Sequence, residues 1–239
     1  MRQRPYISTC AIVSASVLVT LSTATLAAPH LTDLIVPTIE YPPLDVEWLL
    51  EDDIRRAADG QPLRFAVPQE ALVTPGNNGL WDRNAEGRLR WRMRFTSPGA
   101  PHINIGFEQW NMPIGGEMMV ESIDGTHGFG PFTSLDNEYH GELWLPVVIG
   151  DDIMVSITCD DDERETIEQN IAATKVNIGY RGFGAEKFSD NERSGSCNVD
   201  VVCPEGDPWQ SEIACAALYS LSGWFTCSGG MLNNTAQDL

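Results

Sequence analysis

From Phe65 onward, apolar and polar residues alternate in short bursts. Trp91, Met93 and Phe95 are separated by Arg92 and Arg94, and Ile103, Ile105 and Phe107 by Asn104 and Gly106. A two-residue repeat sends alternate side chains to opposite faces of a strand, so each burst predicts a half-buried strand. Ser97-Pro98-Gly99 turns the chain between these two. Glu117–Ser122, Gly141–Val148, Ile153–Thr158 and Thr174–Tyr180 predict further strands, with turns at Gly115-Gly116, Asp124-Gly125 and Gly150-Asp151-Asp152. Val46–Ala58 reads instead as a short amphipathic helix stopping at Gly60. Short strands at this spacing predict an all-β fold, an antiparallel β-sandwich or jelly-roll-like domain over residues 61–184.

The flanks read differently. Residues 29–60, stiffened by Pro37, Pro42 and Pro43, predict a poorly structured leader or linker. Residues 185–193, with Lys187, Ser189, Asp190, Asn191, Glu192 and Arg193, have the composition of an exposed processing linker. Within 194–239, Gln210–Ser222 supports two readings. Ile213, Ala216, Ala217 and Leu221 recur at helical spacing, yet Ala214, Ala216 and Leu218 share one side of a strand.

At the N-terminus, Arg2 and Arg4 precede a small, apolar stretch, Ala11–Leu26, followed by Ala27 and Ala28. That order predicts an export signal over 1–28, cleaved after Ala27 or Ala28, and a secreted product, extracellular or periplasmic. The Ser- and Thr-rich stretch is short for a membrane anchor, so no membrane partner is expected after cleavage. The charge, 34 acidic against 15 basic side chains for a net −19, repels nucleic acid and anionic membrane. With 42% hydrophobic residues and seven Trp the chain nevertheless predicts a folded body.

Cys10 falls within the signal. Cys159, Cys197, Cys203, Cys215 and Cys227 remain, an odd number for an exported chain. A Cys159–Cys215 bridge has no support, and Cys227 with Cys215 is the more local pairing. No defined disulfide is expected.

Candidate chemistry is sparse. Nucleophilic catalysis needs a base within hydrogen-bond reach of the nucleophile and a group orienting that base. No Gly-Asp-Ser-Gly-like segment occurs. The His residues are His30, His102, His127 and His140; His140, near Asp136, Glu138 and Glu142, reads as a loop residue fixing the start of a strand. No zinc-like His/Cys spacing is present. The acidic run Asp160, Asp161, Asp162, Glu163 and Glu165 lacks EF-hand spacing and reads as a solvated face. Trp81, Trp91 and Trp144 lie in or beside strand patterns and read as core or rim rather than a sugar platform. No catalytic residue, cofactor or metal is expected.

Two stretches carry a family resemblance. The first contains Trp91-Arg92-Met93-Arg94, Ser97-Pro98-Gly99-Ala100, Gly130-Pro131-Phe132-Thr133, His140 to Val148 and Tyr180-Arg181-Gly182-Phe183-Gly184. The second runs from Ser194 to Thr235, with Ser-Gly-Ser-Cys-Asn-Val-Asp, Cys-Pro-Glu-Gly-Asp and a final Asn-Asn-Thr. Together they resemble secreted bacterial trypsin-like serine endopeptidases of the lysyl-endopeptidase type. The resemblance implies a propeptide followed, at 194–239, by the N-terminal part of the protease domain, the incomplete first barrel of a trypsin-like fold. It implies that Ile213–Tyr219 and Trp224–Asn233 pair as strands there, and that Cys197, Cys203 and Cys227 are family cysteines whose partners lie outside this chain. On that reading the chain is the N-terminal fragment of a serine endopeptidase precursor, cleaving after Lys or another basic residue in its parent form. The fragment lacks the catalytic His, Asp and Ser and is inert. Its propeptide is a folding aid or inhibitor whose partner is the cognate protease domain. The alternative is a stand-alone secreted β-sandwich that binds carbohydrate or protein and carries a vestigial tail.

Overall fold

A computed structural model describes residues 36–182, 204–213 and 215–230. The expected signal over 1–28, the linker over 185–193, and Cys197 and Cys203 lie outside the described residues. In chain order the elements are β1 (Thr38–Glu40), α1 (Val46–Ala58), β2 (Ala66–Val73), β3 (Leu80–Arg83), β4 (Leu89–Thr96), β5 (His102–Trp110), β6 (Glu117–Ser122) and β7 (Gly128–Phe132). They continue as β8 (Leu143–Trp144), β9 (Val148–Ile149), β10 (Asp152–Cys159), α2 (Arg164–Asn170), β11 (Ile171–Gly179), α3 (Gln210–Ile213), β12 (Ala216–Leu221) and β13 (Phe225–Gly230).

Two sheets face one another. One has the order β1-β4-β10-β6-β7, with β3 also on β4; the other runs β2-β11-β5-β8, with β9 also on β5. Alternation decides what each face does. In β4, Trp91, Met93 and Phe95 point inward; in β10, Ile153, Val155 and Ile157 lie beside them in antiparallel register. From the other sheet come Ile103, Ile105 and Phe107 of β5 and Val176 and Ile178 of β11, closing a single buried cluster. Burying one such side chain contributes about 1.5–3 kcal/mol, so this cluster is the main source of stability.

The all-β expectation is corrected here: the fold is mixed α/β, with three α-helices beside the sheets among the described residues. Helix α1 forms where its periodicity predicts. The Asp45 side chain caps it by accepting from Trp48 N at 3.0 Å, Arg55 and Arg56 sit in its last turn, and Gly60 follows at φ +70°. Helix α2 is hidden in the sequence by the acidic run. There Glu163 accepts from Asp160 N at 3.2 Å and from Gly115 N at 2.8 Å, while Asp161 pairs with Arg83 at 2.9 Å. Those carboxylates serve helix entry and arginine pairing. Among the described residues, no group of three or more His, Cys, Asp or Glu could hold a metal ion.

The incomplete barrel is also corrected. Among the described residues β12 pairs only with β13, so these strands form a two-stranded hairpin and close no barrel. The Gln210–Ser222 ambiguity resolves as both: a four-residue helix, a turn at Cys215, then strand. The expected strand Gly141–Val148 is broken into β8 and β9, because Pro146 between them has no N–H for a ladder bond. Residues from Val36 on belong to the fold rather than to a loose leader, since Val36 is buried and β1 pairs in parallel with Arg94–Thr96. Trp144 lies over Gly106 of β5, where a Cβ would stand 2.4 Å from its ring.

Candidate functional site

The outward-facing residues at the end of β5 and β11 are not solvated. His102 and Asn104 on β5 and Asn177 on β11 are all buried, although they occupy the face opposite the core. What covers Asn104 and Asn177 is the tip of the β12–β13 hairpin. Asn104 Nδ2 donates to the Gly223 carbonyl at 2.9 Å. Asn177 Nδ2 donates to Asn104 Oδ1 at 2.7 Å and reaches the Ser222 carbonyl at 3.3 Å. Register places the two asparagines directly opposite each other, so they form a ready-made pair of amides beneath the turn.

The turn is shaped for this seat. Ser222 and Gly223 both have positive φ, 51° and 73°, and Trp224 N closes the turn on Leu221 O at 3.2 Å. Gly223 is required twice over: a Cβ there would lie 2.4 Å from Asn177 Nδ2. Backbone bonds fix the side of the hairpin. Phe65 N donates to Trp224 O at 2.9 Å, and Thr226 N donates to Leu63 O at 2.9 Å. Residues 63–65, β13 and β12 thus lie side by side.

A charged cluster anchors the same place from beneath. Asp53 of α1 accepts from Arg64 Nε at 2.7 Å and from the Tyr180 hydroxyl at 2.7 Å, and pairs with Arg181 Nη2 at 2.9 Å. Arg64 also reaches Asp52 at 2.5 Å. Burial, reinforced by the Asp53 carboxylate, raises the Tyr180 phenol well above its ordinary range, so it stays protonated as a donor. This cluster ties α1, the lead into β2 and the end of β11 together around Phe65.

His102 completes the region. Its Nε2 lies 2.7 Å from the Arg181 carbonyl, which can only accept, so Nε2 carries the proton and Nδ1 the lone pair. Nδ1 is buried without a hydrogen-bond partner among the described residues. Burial lowers the His102 pKa, offset in part by the Arg181 carbonyl. The unfolded chain takes up the proton more readily than the folded one, so stability is full above the unfolded value of 6.5 and falls as pH drops below it, down to the folded pKa. Urea midpoints should therefore fall between pH 7.5 and pH 5.5 in the wild type, and fall less in His102→Gln. Equal falls in both proteins would remove His102 from the account.

The other residues singled out in the sequence lie elsewhere. His140 Nδ1 accepts from Glu142 N at 3.2 Å, just before β8. His127 Nδ1 accepts from Ile149 N at 3.1 Å, and its backbone N, not its ring, donates to Ser122 Oγ. The nearby Ser122 hydroxyl donates to Asp124, so these three residues do not form a nucleophile–base relay. Trp91 is buried, with its indole N–H on Asn78 O. Cys159 is buried in the core and its thiol is pushed up to about 11 by burial and by Glu163, which makes it unreactive. Cys215 and Cys227 are both free. Cys227 faces Tyr219 across the hairpin, four positions along the strand from Cys215, a separation of roughly 13 Å at the usual rise and too far for a bridge.

Sequence reasoning missed Asn104, Asn177, Asp53, Arg64 and Tyr180 as a group. A polar residue at mid-strand on two strands of one sheet was the available signal, and alternation alone assigns such residues to solvent.

Residues 191–239, less than half of the chain, match the family model described as lysyl endopeptidase, C-terminal domain. The link is to lysyl endopeptidases. It holds at family level, to trypsin-like serine proteases, and it takes in the seated hairpin. It also overturns the placement of this segment. The matched model is the C-terminal domain of lysyl endopeptidase, so 194–239 is not the opening of a catalytic domain, and the reading of the chain as the N-terminal fragment of a protease precursor falls with it. The order of Cys, Asn-Val-Asp and Asn-Asn-Thr carried the family correctly, but a local motif does not fix its position in a parent chain. Nor is the tail vestigial: its hairpin is bonded into the body at Leu63, Phe65, Asn104 and Asn177. No solved structure matches the chain.

Proposed function

We propose that the two-sheet body is a docking module for the lysyl-endopeptidase-type segment joined to it. The observation that supports this most directly is the buried Asn104–Asn177 pair donating to the turn carbonyls of Ser222 and Gly223. A buried amide pair is costly unless its partners are supplied, and the hairpin supplies acceptors for both Nδ2 donors. Residues 1–28, read as an export signal, would put this docking outside the cytoplasm.

Substituting Asn104→Ala removes the donor to Gly223 and leaves Asn177 Nδ2 without its nearer acceptor. The expected cost is about 1–3 kcal/mol, felt chiefly at the hairpin. Hydrogen exchange checks it on the full chain. In the variant the Thr226 amide, bonded to Leu63 O, should exchange faster while amides of β10 keep their protection. Limited proteolysis should then open new cuts within 216–230. A wild-type hairpin that exchanges and is cut as readily as the variant's would refute the docking role.

A further inference from the structure

Among the described residues, the edges of the two large sheets are guarded. β2 carries Pro68 and Glu70, β7 carries Pro131, β3 ends in Asp82 and Arg83, β1 is three residues long and ends in Glu40, and β8 and β9 are two residues each. Proline, charge and shortness are the devices that stop an edge from pairing with another chain. β12 has none of them. Its six residues, Ala216–Leu221, contain no proline and no charge, and among the described residues it pairs only with β13. Its side chains are open as well: Leu218 is 50% exposed, Tyr219 43% and Leu221 46%.

The surroundings of this edge are equally unusual for the chain. From Ile213 to Gln237 there is no Asp, Glu, Lys, Arg or His, in a protein of net charge −19. Two copies of so acidic a protein repel over most of their surfaces. The hairpin is the place where they can approach without opposing charges or unpaired ones. The edge is also presented outward, because β13 lies between β12 and residues 63–65, so pairing does not compete with the seat.

We infer that the free edge of β12 is a strand-addition surface whose occupant is β12 of a second copy. The two strands pair antiparallel about a two-fold axis, extending two hairpins into one continuous four-stranded sheet. Identical edges satisfy the geometry without any further partner. The outward N–H and C=O groups of both strands, without partners among the described residues, pair, and Leu218, Tyr219 and Leu221 gain cover. The chemistry sets the salt dependence. The contact itself is uncharged while the bodies repel, so screening strengthens association; a basic partner held by the acidic body would instead be released by salt.

Sedimentation of the full chain over a range of protein concentrations, at low and at high salt, tests this together with hydrogen exchange of the β12 amides. A monomer–dimer equilibrium is expected whose dissociation constant falls as salt rises, with β12 amides slower to exchange in concentrated than in dilute wild-type protein. Leu218→Lys and Ser220→Lys each bring like charges together near the two-fold, both on the same face of the strand. Each should weaken the dimer by about tenfold or more. Thr226 protection reports the hairpin seat separately, so failure of the seat and failure of the dimer are distinguishable. A single monomer mass at every concentration and salt would overturn the inference. So would a dimer that weakens with salt, one indifferent to both lysines, or β12 amides whose protection does not depend on concentration.

Discussion

Replacing Asp53 with Ala should destabilise the fold by about 3–5 kcal/mol, lowering the thermal midpoint by roughly 10 °C for a body of this size. The Asp53 side chain is only 5% exposed and receives Arg64, Arg181 and the Tyr180 hydroxyl together. Removing it leaves two guanidinium groups near one another, poorly hydrated and short of a counter-charge, and the phenol loses its nearer acceptor, keeping the Arg64 carbonyl at 3.1 Å. Arg64 retains Asp52, but that carboxylate stands nearer to solvent and does not reach Arg181 in this arrangement. The effect measures the broken cluster and not the worth of the intact one, which a well-packed apolar replacement of all the members could equal. Urea unfolding of Asp53→Ala, Asp53→Asn and Asp52→Ala orders the outcomes: the first most destabilised, Asp53→Asn less because it keeps the shape and two hydrogen-bonding atoms, Asp52→Ala least. If Asp53→Ala were as mild as Asp52→Ala, the cluster would not be what fixes α1 to the strands around the seat.

The second large effect is expected at Gly179. A Cβ there would lie 2.2 Å from His102 Cε1 and 2.4 Å from Nδ1, and the ring has little freedom to withdraw. It is bonded to the Arg181 carbonyl on one side and stands 5.5 Å from the Phe65 ring on the other. Gly179→Ala should therefore cost about 3 kcal/mol through overpacking, at the upper end of what an added methyl does in a tight interior. The cause is checkable by a double-mutant cycle with His102→Ala. Shrinking the ring makes room for the methyl, so the pair should be less destabilised than the sum of the single changes. Simple additivity would show that the two side chains do not compete for that space.

How much of this was visible beforehand depends on the length scale of the information. β4 and β10 alternate cleanly, and the helix expected at Val46–Ala58 is there with the same bounds, because caps and periodicity are local. Helix α2 was obscured since a run of carboxylates resembles a solvated loop until Glu163 is seen capping a turn. Pro146 was in plain sight, yet its power to break a strand was outweighed by the apolar residues around it. The seat was not legible at all. Asn177 is 73 residues from Asn104 and Asn104 is 119 from Gly223, so no window along the sequence contains the three together. Arg92 makes the same point in the sheet. Alternation assigns it to water, but it is 1% exposed and holds Asp82 on the neighbouring strand at 2.6 Å.

Most packed elements, when they peel away, bare an oily patch that must be re-covered or will clump. Here separation of the hairpin would uncover two side-chain amides, which water can serve about as well as a turn carbonyl does. The amide part of the attachment is therefore of a kind that can come undone and re-form, and the apolar cost of opening is confined to Phe65, Trp224 and Phe225 beside it.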